Sequence, residues 1–292
     1  MKTSWRGLAP TAPAAIFLLA FMVGPLLLML YVSTLERGAF GGVVWDSHSF
    51  VAYEKLVFER DLIGRLSLNP DYLTIFGRSF QLAAITTAVT LAIGVPTALF
   101  MTMLPPRQSA LLLFLVTVPF WTNLLVRNFA WILLLRNGGP IDGFLGWLGV
   151  TSGPIDVLYT PLATGIGLAY SFLPFMILPI FVAMERIDRR LIEAAFDLGA
   201  NRLRILTRVV LPLAMPGIVA GSVLVFVPCL GAYVSPELLG GAKSMMIGNL
   251  IQAQFGASRN WPFGAALAMV LLVILLMGLG LLSLAGRRRK VA

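Results

Sequence analysis

The stretch Asp188-Arg189-Arg190-Leu191-Ile192-Glu193-Ala194-Ala195-Phe196-Asp197-Leu198-Gly199-Ala200 carries the most information in this chain, together with the Asn201–Val210 segment and Leu211-Pro212-Leu213-Ala214-Met215-Pro216-Gly217-Ile218 after it. Ile187, Leu191, Ala194/Ala195 and Leu198 recur at helical spacing and predict one apolar stripe on a short helix. Asp188 is placed to accept from the first free N–H groups of that helix, and Gly199 to end it in the left-handed region. A second short helix is expected over Asn201–Val210, with Pro212 and Pro216 marking entry to a long apolar run. Glu193 and Asp197 lie four apart, as do Arg186 and Arg190, and like charges at that spacing weaken an isolated helix. Ala194 and Ala195 leave a low surface that another protein can approach closely. Two readings stand at this point: a segment that docks onto a partner, or an amphipathic helix at the headgroups with its arginines on anionic lipid.

Around this segment the chain is strongly apolar. Of 292 residues, 58% are hydrophobic and 12% charged, against about 45–50% and about 25% in soluble domains. Mean hydropathy is +0.89. These values exclude a disordered chain and argue against a soluble globule. The net charge of +9 and pI near 10.3 do not point to nucleic acid, whose binders are not this apolar. One cysteine, Cys229, excludes an internal disulfide and a Cys-built metal site. One histidine, His48, removes most of the usual catalytic and ligand chemistry.

A helix needs about 20 apolar residues to cross the hydrocarbon core. Stretches without Asp, Glu, Lys or Arg predict six spans, centred on Ala12–Val32, Ser79–Met103, Ser109–Leu135, Val157–Met184, Val209–Ser235 and Pro262–Ala285. The third is the least regular, being interrupted by Arg127. Prolines 25, 96, 119, 174, 179 and 228 inside these stretches imply kinks. The fold class is therefore all-α, a polytopic membrane protein.

Six spans put both termini on one side, and basic residues orient them. Lys2, Arg6, Arg107, the six arginines 186, 189, 190, 202, 204 and 208, and the closing Arg287-Arg288-Arg289-Lys290 make 13 of the 22 basic residues. The other side holds eight, and its long Glu36–Asp71 loop is net acidic. By the positive-inside rule both ends and the Arg186–Arg208 segment face the cytoplasm. The first apolar run is longer than the usual core of a signal peptide and no clear small-x-small site comes after it, so an uncleaved anchor is the better reading. The organisation expected is an N-terminal tail and first helix over 1–35, a periplasmic loop over 36–78, a five-helix core over 79–285 with a cytoplasmic loop at 185–212, and a basic tail over 286–292.

No H-E-x-x-H, G-x-S-x-G or CxxC occurs. Gly240-Gly241-Ala242-Lys243-Ser244 lacks the glycines of a phosphate loop and reads as a turn on the outer side. No acidic pairs suited to divalent metals lie in the membrane core. The chain is read as a non-enzyme whose energy source lies on another chain or in an ion gradient.

The Glu193 stretch resembles the E-A-A-x3-G-x9-[IV]-x-L-P signature of MetI-like permeases in binding-protein-dependent ABC importers. Glu193, Ala194, Ala195, Gly199, Val209, Leu211 and Pro212 stand at the matching positions, with valine at 209 where isoleucine is commonest. The resemblance implies that this loop is a coupling helix seated in a groove of the ATPase subunit, with Glu193, Ala194, Ala195 and Gly199 as its contacting core and Asp197, Leu211 and Pro212 in the same loop. It covers nearly the whole chain. Pro119–Trp131, Pro236-Glu237-Leu238-Leu239-Gly240-Gly241, Ile247-Gly248-Asn249 and Asn260–Ala266 are similar to motifs of the spermidine/putrescine-type permeases, the later ones to the first of two paired permeases. Asp142 departs from the asparagine often found after the glycine pair. The resemblance also implies a MetI-like core and no cofactor on this chain. It implies as partners a second homologous permease, an ABC ATPase dimer holding the ATP and Mg, a periplasmic solute-binding protein and membrane lipid, but no nucleic acid. The place it implies is the bacterial inner membrane.

The candidate pathway residues are Trp121, Asn123, Arg127, Trp131, Glu237, Asn249 and Trp261. A central Arg costs about 2.5–3.5 kcal/mol on insertion scales, so Arg127 faces a watery path, a partner or the outer interface, or snorkels to the headgroups. Trp121 and Trp131 fit a cation path or an interfacial belt. Glu237 fits a cation attractor, a contact for the binding protein, or a solvated carboxylate. Gly217 and Gly221 make a small-xxx-small pattern for close helix packing. The spans hold no carboxylate, so a polyamine substrate needs acids from loops or the partner; another small solute, such as an opine, an amino-acid-like or a phosphonate compound, is the alternative. An ion-coupled secondary transporter would need intramembrane carboxylates or histidine.

Overall fold

Backbone N–H and C=O groups in lipid must be satisfied within the protein, and the apolar runs do this by coiling. The computed structural model describes residues 12–60, 66–149, 156–241 and 244–288. In chain order the elements are α1 (Ala12–Ser33), β1 (Leu35–Arg37), β2 (Val43–His48), α2 (Val51–Glu54), β3 (Phe58–Arg60), β4 (Leu66–Leu68), α3 (Pro70–Thr102), α4 (Pro106–Trp121), α5 (Leu124–Leu135) and α6 (Pro140–Trp147). They continue as α7 (Pro161–Glu185), α8 (Arg189–Asp197), α9 (Arg202–Ile205), a π turn over Leu206–Val210, α10 (Leu211–Gly231), α11 (Val234–Gly240), α12 (Ile247–Phe255) and α13 (Trp261–Arg288). Among the described residues five helices are long and apolar enough to cross a membrane, or six spans if α4 and the arm after it count as one. Lys2, Arg6, Arg65, Ala242, Lys243, Arg289 and Lys290 lie outside the described residues.

Three spans differ from the sequence expectation. The third is broken: α4 and the arm after it are bent by 94°. Thr122 and Asn123 are extended, and the Asn123 side chain accepts from the Leu125 N–H to start α5. Arg127 thus lies on the helix after the break, not within a straight span. The second begins earlier, at Pro70, inside the segment read as loop. Asn69 accepts from the Asp71 N–H at 3.0 Å and Pro70 fits the first turn, where its missing N–H costs nothing. The fifth starts at Arg202, passes through the π turn, and ends at Gly231 rather than Ser235. Pro212 has no N–H to return to the preceding turn, and the widened turn falls at that place.

Packing divides the chain into two compact units, Met1–Thr74 with Leu250–Ala292, and Ile75–Asn249. In the first, α1 lies along α13 and most of its apolar side chains are exposed, as a lipid-facing helix requires. The segment between α1 and α3 is not an open loop: it pairs β1 with β2 and β3 with β4, both antiparallel. The Arg37 guanidinium donates to the Ser258 carbonyl at 3.0 Å, and the Gly42 N–H donates to the Arg259 carbonyl at 2.8 Å. Phe263 is buried, with the Tyr72 ring 5.1 Å away and the Lys55 ammonium 5.4 Å from its centroid.

In the second unit α10 packs along α7. A Cβ added at Gly217 would stand 2.5 Å from the Pro179 carbonyl, and one at Gly221 3.1 Å from that of Met176. Both glycines let the backbones approach, as the small-xxx-small spacing predicts. The core between α3, α7 and α10 holds Ala98, Met101, Met176, Ile177, Ile180, Ala214 and Val225.

Candidate functional site

The loop after α7 is built by its caps. Asp188 Oδ1 accepts from the Arg190 N–H at 3.0 Å and opens α8. At the other end Gly199 has φ +77°. The Gly199 N–H donates to the Phe196 carbonyl and the Ala200 N–H to the Ala195 carbonyl, a complete Schellman closure. Asn201 then accepts from the Arg204 N–H at 2.8 Å and starts α9. The expected apolar stripe is split. Ile187, Ile192 and Ala195 pack toward the core, whereas Leu191, Ala194 and Leu198 face outward with Glu193 and Asp197. Leu198 is 89% exposed. Burial at α8 is decided by the 192/195 pair because the closing turn points Leu198 away. The outward face is a low alanine flanked by two leucines and two carboxylates. Leu211, half-buried, and Pro212, exposed, begin α10.

At the far end of α7 the residues of the Glu237 and Asn249 motifs meet. Asn249 is buried. Its amide donates to Glu237 Oε2 and to the Tyr233 carbonyl, both at 2.8 Å, and its oxygen accepts from the Met246 N–H at 3.3 Å. Asn249 therefore splints α11 to the start of α12 and aims the Glu237 carboxylate, which is exposed. Gly248 sits against the Gly231 and Ala232 carbonyls, where a Cβ would come within 2.7 Å of both. The Ile247 N–H donates to Ser79 Oγ on α3 at 2.9 Å.

The other pathway candidates are spread out. Trp121 closes α4 and is 83% exposed. Asn123 serves as a helix cap. Trp131 meets the Tyr170 ring edge-on at 5.5 Å and packs beside Leu135, Ala163 and Leu239. Arg127 is half-buried, and its Nε is shut from solvent without a hydrogen-bond partner among the described residues. Trp261 belongs to the first unit, at the start of α13. Beside it Asn260 accepts from the Phe263 N–H at 3.4 Å, so this motif is a helix start.

A cavity of about 180 Å³ opens where α10 stops, walled by Leu124, Leu168, Ser171, Phe172, Pro228 and the Gly231–Ser235 break. None of the seven pathway candidates lines it. Its signal in the sequence is the Gly231-Ala232-Tyr233 interruption of an apolar run, which hydropathy averages away. No group of three or more His, Cys, Asp or Glu side chains suited to a metal occurs among the described residues.

The family model described as "Binding-protein-dependent transport system inner membrane component" matches residues 84–290. The chain belongs to this family. Among the relatives of this inner membrane component, the spermidine/putrescine transport system permease protein PotB of Escherichia coli K12 is 43% identical over 261 residues, 89% of this chain and 93% of that protein. The protein of that name from Haemophilus influenzae is 42% identical, covering 89% and 86%. The inner membrane ABC transporter permease protein YdcU of E. coli K12 is 34% identical, covering 72% and 71%. A bacterial ABC transporter involved in import of the acidic polysaccharide alginate shares the fold, with TM-score 0.69 and 16% identity over 96% of each chain. The chain is accordingly an all-α, multi-pass inner-membrane permease of the ABC importer type, not an enzyme.

Proposed function

We propose that this chain is the permease subunit of an ATP-driven importer of a polyamine of the spermidine/putrescine type. The similarity to PotB over 89% of the chain carries this reading. In it, the outward α8 face of Leu191, Glu193, Ala194, Asp197, Leu198 and Gly199 seats on an ATPase dimer that binds ATP and Mg. A second homologous permease completes the path, and a periplasmic binding protein delivers the solute to the end that carries Glu237. Both termini and the α8 loop lie in the cytoplasm, which the distribution of basic residues supports. Transport proceeds by alternating access: ATP closes the ATPase dimer, α8 moves with it, and the packed helices α7 and α10 carry the motion to the outer end. Arg127 and Glu237, one cationic and one anionic, face the path or the partner permease, and Trp121, Trp131 and Trp261 are further contacts of the path and its interfaces.

A second solute class is favoured by one observation. Between their terminal turns, α1, α3, α7, α10 and α13 carry no Asp or Glu, an unusual lining for a polycation. An opine, an amino-acid-like or a phosphonate compound fits such a lining. Proteoliposomes holding this chain with the ATPase, second permease and binding subunits encoded beside it test both readings. Uptake of labelled spermidine that stops when ATP hydrolysis is blocked is expected. Uptake unchanged without hydrolysis overturns the importer reading, and uptake competed only by the other solutes transfers the substrate to the second class. Arg127→Leu is expected to lower uptake with assembly intact; unchanged uptake removes Arg127 from the path.

A further inference from the structure

The helix α6 carries one broad apolar arc, with Asp142, Gly143 and Gly146 on the other side, and the chain's own core uses only part of that arc. Ile141 and Leu145, four apart, are half-buried, and Ile141 packs with Leu135, Ala163 and Leu239. Adjoining them on the same broad apolar side stand Phe144, Trp147 and Leu148, exposed by 57%, 78% and 51%. The Phe144 and Trp147 rings stand 6.1 Å apart. Their spacing of three and four puts all three on one helical face. Eight residues make a rod of about 12 Å, far short of the about 30 Å of hydrocarbon, so α6 cannot span.

The residues around α6 are sorted by polarity. Arg136 and Asn137 are exposed just before it. The Asn137 amide donates to the Asp156 carboxylate, and Asp142 accepts from the Gly138 N–H at 3.0 Å. These form a polar collar at one edge of the arm. On α5, the preceding helix of the same arm, Leu125, Val126, Phe129 and Leu133 are exposed as well. A water-facing surface of this size would be a liability. In an inner-membrane protein, an aromatic-rich face in the same arm as an apolar helix surface and rimmed by an Arg and carboxylates matches the headgroup–acyl boundary, where Trp and Phe are favoured.

We propose that α6 is an interfacial anchor, lying in the bilayer plane with Phe144, Trp147 and Leu148 in the acyl boundary and the Arg136–Asp142 collar at headgroup depth. It occupies the leaflet at the opposite end of α7 from α8. There it fixes the bent α4–α5 arm, and with it Arg127, at a set depth. The occupant of the face is lipid, not a protein.

The test uses the full-length chain in phosphatidylethanolamine/phosphatidylglycerol vesicles. Nitroxide labels are placed singly at Phe144→Cys, Trp147→Cys, Leu148→Cys and Arg136→Cys in a Cys229→Ala background. Collision with oxygen, which concentrates in the acyl region, should exceed collision with a water-soluble nickel chelate at 144, 147 and 148, and the order should invert at 136. Nickel dominating at 144 and 147 would overturn the anchor, because the face would be in water. Labels shielded from both reagents would also overturn it, because a protein surface would then cover the face. A measurement independent of the labels compares intrinsic fluorescence quenching by shallowly brominated lipid in the unaltered chain and in Trp147→Leu. The substitution should remove a quenched component; an unchanged quenching profile counts against the proposal.

Discussion

At Gly199 the backbone φ is +77°, and no neighbouring atom lies within 4 Å of where a Cβ would stand. The constraint there is conformational rather than steric, costing an ordinary L-residue about 1–2 kcal/mol, while Asn and Asp visit this region readily. Substitutions therefore separate folding from coupling. Gly199→Asn should keep insertion, abundance and uptake near the unaltered levels. Gly199→Asp should keep the turn and the abundance but abolish uptake, because it adds a third carboxylate to the face holding Glu193 and Asp197. Normal uptake by the Asp variant would reject α8 as the coupling face. Asn249 behaves oppositely, since all its partners are inside the chain. Asn249→Leu strips the buried Met246 N–H of its partner, frees the Tyr233 carbonyl and releases Glu237, at a cost of about 1–3 kcal/mol for the buried group left unsatisfied. Its unfolding midpoint in detergent should fall clearly below that of the unaltered protein, and an unchanged midpoint would show that the Glu237 splint holds nothing.

Between elements, the α7–α10 contact depends on two glycines. Valine at Gly217 must displace the Pro179 backbone, and at Gly221 the Met176 backbone. Overpacking of that kind costs about 1–3 kcal/mol. Gly217→Val and Gly221→Val should lower thermal stability and uptake together, whereas Gly77→Val on α3, with nothing within 4 Å, should change neither much. Equal tolerance at all three positions would mean that the close approach is dispensable. This contact is legible in the sequence because small residues four apart leave a visible pattern. The five long helices are legible because hydropathy summed over about 20 residues outweighs any single side chain. The breaks are not. Asn123 and the Gly231–Tyr233 step each redirect the chain through one to three residues, too few to alter an average, and the cavity beside Tyr233 is hidden with them. The inward face of α8 escapes for a related reason: periodicity marks Leu191 and Leu198 as apolar but cannot say whether the chain's own core or another surface meets them. At the end of α7 away from α8 the Glu237 and Asn249 motifs are legible as a pair, yet their hydrogen bond needs the fold of α11 onto α12.

For the molecule as a whole, the number of crossings turns on the bent arm. If α1 and α3 each cross once, the chain ahead of α1 and the Arg107 turn share a side; if α10 and α13 each cross once, so do the α8 loop and the C-terminal basic run. Whether the two pairs agree depends on α4, α5 and α6. Helix α4 alone, at 16 residues, is about 24 Å long, slightly short of the hydrocarbon thickness, and the 94° bend makes a re-entrant path geometrically open. The distribution of charge argues for a single crossing. A re-entrant arm would put the Arg107 turn and the six arginines of residues 186–208 on opposite faces, against the positive-inside bias that acts on short segments. The arm should therefore count as one crossing, giving six. Single cysteines replacing Arg107 and Arg189 in a Cys229→Ala background, probed with a membrane-impermeant thiol reagent, report this directly. Both should react in inverted vesicles and neither in right-side-out ones. Reaction of the two positions from opposite sides would mean five crossings, termini on opposite faces, and an arm that dips into the bilayer and returns.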